Sequence, residues 1–94
     1  MTYQLTSDAQ LIERMATGDG RAREEFSNRH RLSLYARVYA LLADTRATDE
    51  VLSETFELAF HGARRFNPDG GSAVNWLTEI ARGLVRRRQP PAFP

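Results

Sequence analysis

The residues best able to do chemistry in this chain fall into three groups. The first is a run of acids at helical spacing, Asp49, Glu50 and Glu54, within "DTRATDEVLSETFELAF". Carboxylates gathered on one helix act as acid and base, or hold a cation, only beside a nucleophile, a base or a metal partner. His30 and His61 are the only histidines, cysteine is absent, and there is no HExxH-type pairing. No metal, no cofactor and no catalytic residue is therefore expected, and the acids read as a solvated acidic face. The second group is "NPDGGS", residues 67–72, a glycine-rich loop that opens a helical run and superficially resembles a phosphate cradle. It lacks the order G-x-x-x-x-G-K-[ST] and follows no strand, so taken alone it is a turn. The third group surrounds the single tryptophan, Trp76, with Arg64, Arg65, Arg82, Arg86, Arg87 and Arg88. Arginines neutralise phosphates, Trp76 or Phe66 could stack on an unpaired base, and loop glycines let backbone approach a base pulled from its stack. The competing role for both aromatics is core packing, which spacing alone favours. The back of the chain thus reads as a nucleic-acid surface rather than an enzyme.

These groups need elements to hold them, and four segments have helical period while none alternates like a strand. The first starts at Ser7, with Gln10 placed for a capping box, presents Leu11, Ile12 and Met15 on one face, and ends at Gly18 and Gly20. The second runs from Arg21 to Leu42 with a stripe of Ala22, Phe26, Leu34, Val38, Leu41 and Leu42, flanked by Tyr35 and Tyr39. After a break at Asp44-Thr45-Arg46, the third spans Thr48 to Ala63 and is capped by Thr48, with Val51, Leu52, Thr55, Phe56, Ala59 and Phe60 on one side. The loop Arg65–Gly71 leads to a fourth helix capped by Ser72, whose inner face holds Ala73, Trp76 or Leu77, Ile80 and Leu84. Pro90 and Pro91 forbid its continuation, so residues 1–89 form one all-α, compact four-helix domain and residues 90–94 a tail or the start of a linker.

Ninety-four residues support one modest core, and 41% hydrophobic with 27% charged residues suits an ordinary soluble domain. The net charge of +1 hides an asymmetry. Residues 1–62 hold seven arginines against ten acids, a balance of −3, and residues 63–94 hold six against two, a balance of +4. An acidic front and a basic back suggest two surfaces with different partners. The absence of cysteine suits a reducing cytosol, and "MTYQLTSDAQ" has neither the basic start nor the apolar stretch of a signal peptide. No window approaches the ~20 apolar residues of a membrane span. A cytoplasmic monomer without membrane contact is expected.

Three pieces in order, "SDAQLIERMATGDGRAREEF", "DTRATDEVLSETFELAF" and "RFNPDGGSAVNWLTEIARGLVRRR", together resemble region 2 of sigma-70 family transcription initiation factors. The similarity is greatest to the extracytoplasmic-function group and spans about Asp8 to Arg88. It implies a helical domain without enzymatic activity that docks an acidic helix on the β′ clamp helices of the RNA polymerase core. Carried onto this chain, the docking residues are Asp44, Asp49, Glu50, Ser53 and Glu54, with Phe56 in the core. The resemblance further implies a surface that recognises and melts the −10 promoter element, capturing a base of the single-stranded non-template DNA. That role falls on Arg64, Arg65, Phe66, Asn67, Asp69, Gly71 and Ser72 of the loop, and on Asn75, Trp76, Arg82 and Arg86 of the last helix.

Three residues depart from the family pattern. Ser53 stands where Gln is usual, Gly83 where Asn is common, and Arg87 where Asp is frequent. Region 4, the reader of the −35 element, is expected to lie outside this chain. A second reading, favoured by Ser53 and Gly83, is an interaction module or decoy that occupies an anti-sigma factor through the same faces without promoter binding.

Overall fold

The computed structural model describes residues 6–88. They form four α-helices, α1 (Asp8–Ala16), α2 (Gly20–Leu42), α3 (Thr45–Gly62) and α4 (Ala73–Arg88). Two single-turn 3-10 helices, Ala63–Arg65 and Pro68–Gly70, connect α3 to α4, and no strand occurs among the described residues. The expected all-α four-helix domain is what forms. The tail expected at 90–94 lies outside the described residues.

Short polar side chains set the helix starts. The Ser7 hydroxyl accepts from the Gln10 backbone N–H at 3.1 Å, and the Gln10 side chain accepts from the Ser7 N–H at 2.9 Å, closing the capping box. Asp19 caps α2, its Oδ1 accepting from Arg21 and Ala22 while Oδ2 accepts from Arg14 Nε at 2.9 Å. The Arg14 bond first, then the backbone donors, hold the Asp19 carboxyl below its usual range. Asp44, rather than the expected Thr48, caps α3 by accepting from the Ala47 N–H at 2.9 Å. Thr48 is fully buried inside the helix and donates its hydroxyl to the Asp44 carbonyl at 2.7 Å. The difference is physical: Ala43 turns into the left-handed region (φ 51°), which ends α2 abruptly and lets α3 begin at Thr45.

The core gathers Leu11, Ile12 and Met15 of α1, Phe26, Leu34 and Val38 of α2, Val51, Leu52 and Phe56 of α3, and Leu77, Leu84 and Val85 of α4. Each such large side chain contributes roughly 1.5–3 kcal/mol by leaving water. Leu41 departs from expectation: it is 54% exposed, at the rim of the groove between α2 and α4. His30, absent from the expected stripe, belongs to it: its ring lies 4.8 Å from Phe26, and its Nε2 sits 2.9 Å from Asp8 Oδ1 at the start of α1. On α4, Leu77 takes the deep position while Trp76 is half-buried beside it.

Phe26 joins three helices. It is fully buried on α2, meets Phe56 of α3 edge-on at 6.4 Å and Trp76 of α4 at 6.4 Å. Two surface contacts add to the seating of α4: Arg37 Nη1 donates to Thr78 Oγ1 at 3.0 Å, and Arg88 Nη2 pairs with Glu50 at 2.6 Å.

Candidate functional site

The loop between α3 and α4 is built by its own polar groups. After Gly62, a 3-10 turn closes when the Phe66 N–H donates to the Ala63 carbonyl at 3.2 Å. Asn67 then folds the next turn. Its side-chain Oδ1 accepts from the Asp69 N–H at 3.0 Å, its carbonyl accepts from the Gly70 N–H at 3.0 Å, and Pro68 supplies the fixed φ that such a turn favours. Gly71 has φ 139°, a conformation strained for any residue with a Cβ. This swings the chain back so that Ser72 Oγ caps α4 by accepting from the Asn75 N–H at 3.1 Å.

The reversal leaves a cleft of about 270 Å³ between the loop and the first two turns of α4. Phe66 and Trp76 form its apolar wall, their rings 4.9 Å apart and tilted by 50°. Trp76 is backed by Phe26, so the core holds the wall in place. The polar lining comes from Arg65, Asn67, Ser72, Asn75 and Glu79, with Gly70 and Gly71 exposing backbone. An aromatic wall edged by amides, a hydroxyl and an arginine suits a flat heterocycle with hydrogen-bonding edges.

Of the residues singled out from sequence for nucleic acid, Arg65, Phe66, Asn67, Gly71, Ser72, Asn75 and Trp76 all line this cleft. Four others lie apart from it. Arg64 turns toward α1, donating from Nε to the Ala16 carbonyl at 3.4 Å, and lines a second groove with Ile12, Pro68 and the other side of Phe66. Asp69 is exposed outside the cleft and contributes its N–H to the Asn67 turn. Arg82 lines the groove between α2 and α4 with Arg37. Arg86 is exposed one heptad beyond Glu79, on the helical stripe that runs up from the cleft. Gly70 was read only as one of the loop glycines, outside the set carried over from the family, and Glu79 was not anticipated. Glu79 was findable, since it lies four residues from Asn75 and three from Trp76 and so shares their face.

On α3 the acids occupy the face turned from the core. Asp44, Asp49, Ser53 and Glu54 are exposed, whereas Phe56 is buried. Glu50 is engaged by Arg88 at 2.6 Å and Arg46 at 3.6 Å. Leu58, 46% exposed and one turn beyond Glu54, adds an apolar spot that the sequence reading passed over.

The family model for sigma-70 region 2 matches residues 26–89. The chain belongs to this family. The match runs from Phe26 through α3, the loop and α4, and so contains both the acidic face and the cleft. No curated protein and no solved structure matches the chain. In sigma factors, sigma-70 region 2 is a transcription-factor domain rather than a catalytic one, binding RNA polymerase and the −10 element. No helix among the described residues is long and apolar enough to cross a membrane.

Proposed function

We propose that this sigma-70 region 2 domain, of the extracytoplasmic-function group, docks through α3 on the β′ clamp helices of RNA polymerase and melts the −10 element as a cytosolic monomer. The cleft takes one flipped base of the non-template strand, and the arginines of α4 hold the phosphates that follow. The observation that carries the reading is the cleft itself: seven residues matched from the family pattern line one aromatic-walled space of base-accepting chemistry. Melting needs no cofactor, only a surface that binds single strand better than duplex. Extruding a base costs a few kcal/mol, and stacking of ~1–3 kcal/mol per base with pocket hydrogen bonds offsets it. On α3, Asp49 and Glu54 offer exposed carboxylates to a basic partner, and Leu58 offers apolar contact beside them.

The test is fluorescence anisotropy with a labelled non-template −10 strand, alone and annealed to its complement. Tighter binding to the single strand, weakening as salt rises, is the expected result. Equal affinity for the two forms would overturn the base-capture assignment.

A further inference from the structure

Glu79 is the one acid lining the cleft, in a surface otherwise suited to polyanionic strand. A carboxylate there weakens attraction for phosphates, and among the described residues no ion-pair partner within 4 Å neutralises it. Its position is useful if the ligand brings a hydrogen-bond donor to it. We propose that Glu79 determines which base the cleft accepts, taking bases that carry an exocyclic amine and rejecting thymine; this rests on the base-capture reading above.

The chemistry follows from what a carboxylate can do. It accepts hydrogen bonds and offers none. On a base turned out of the duplex, cytosine presents its N4 amine, adenine its N6 amine, and guanine its N1–H beside its N2 amine. Thymine presents two carbonyl oxygens flanking one N–H, so seating it against Glu79 opposes acceptor to acceptor where water is largely displaced by the Phe66–Trp76 wall. Discrimination then comes mainly from repelling the wrong base, the efficient route to specificity when stacking itself is indifferent to base identity. Asn75 and Asn67 do not substitute for Glu79 in this role. An amide turns either its oxygen or its nitrogen to the ligand and so tolerates both kinds of edge, and the Asn67 oxygen already accepts from the Asp69 N–H. Geometry keeps Glu79 where it is needed: Trp76 is wedged between Phe66 and Phe26, which fixes the α4 face one turn before it.

The experiment uses the full chain and labelled ten-nucleotide thymidine tracts with one central substitution: cytosine, adenine, guanine, or 2-pyrimidinone, which is cytosine without its amine. Wild type is expected to bind the cytosine strand about tenfold more tightly than the all-thymidine or 2-pyrimidinone strands, equivalent to about 1.4 kcal/mol. Glu79→Ala should bring cytosine and 2-pyrimidinone within twofold of each other. Glu79→Gln, which regains a donor, should raise affinity for the all-thymidine strand more than for the others. Because either variant removes a negative charge and tightens all strands somewhat, the ratio between strands is the readout. Both changes fall at an exposed helix position, and circular dichroism checks that the fold is kept. Single-strand binding with the same ranking in wild type and Glu79→Ala would overturn the assignment of Glu79 alone. Absence of single-strand binding by wild type would overturn base capture and this inference with it.

Discussion

Phe66→Ala separates a binding aromatic from a packing one. Phe66 is half-buried and touches Trp76 at 4.9 Å, while its other side lines the groove beneath α1. Full truncation of a buried Phe costs roughly 3–5 kcal/mol, so a half-buried one should cost about half of that, ~1.5–2.5 kcal/mol. A domain of this length holds about 5–14 kcal/mol, and the variant should remain folded at 25 °C. Binding should suffer more visibly. Losing one stacking wall removes ~1–3 kcal/mol per base, or about a five- to 150-fold weakening for the −10 single strand. Urea denaturation followed by circular dichroism gives the stability term. Trp76, the single tryptophan, supplies an independent fluorescence probe whose transition should coincide if unfolding is two-state. Phe56→Leu is the control: Phe56 is buried against Phe26 but lies outside the cleft, so it should lose ~1–2 kcal/mol of stability and keep strand affinity within twofold. A folded Phe66→Ala protein with wild-type affinity would refute the stacking role. A stability loss well above 4 kcal/mol would show that Phe66 belongs to the core instead.

Charge reversal at Glu50 and Glu54 should abolish capture of a β′ clamp-helix fragment in a pull-down, with a thermal melt showing the variant folded; undiminished capture would remove the docking assignment. Arg82→Ala and Arg86→Ala should weaken all single strands alike and each lower the salt slope by about one, measured by anisotropy at several salt concentrations. Gly83→Ala should raise stability by ~0.5–1 kcal/mol in urea denaturation, because a Cβ there meets nothing within 4 Å and the helix gains a better former.

Local chemistry was legible at several points where one residue acts within its own turn. The Ser7–Gln10 capping box, the Ser72 cap and the Asn67–Gly71 turn are each made by residues at most five apart, so the sequence alone determined them. The helix count and most of the core followed from period, because apolar side chains three and four apart must share a face. Other features needed the tertiary structure. Leu41 has core spacing, yet it falls on the rim of the groove between α2 and α4 and stays 54% exposed. His30 reads as polar until the Asp8 carboxylate of another helix arrives 2.9 Å from its ring nitrogen and makes its burial tolerable. Asp44 displaced Thr48 as a cap because the left-handed turn at Ala43 let α3 begin at Thr45, three residues sooner than expected, a backbone event with no glycine to announce it. The cleft shows the same division. Its residue types lie in one short stretch, but packing in the fold buries Leu77 and leaves Trp76 half-buried against Phe26 of α2. That packing, fixed across 50 residues of sequence, turned Trp76 toward Phe66 and brought Glu79 to the same wall.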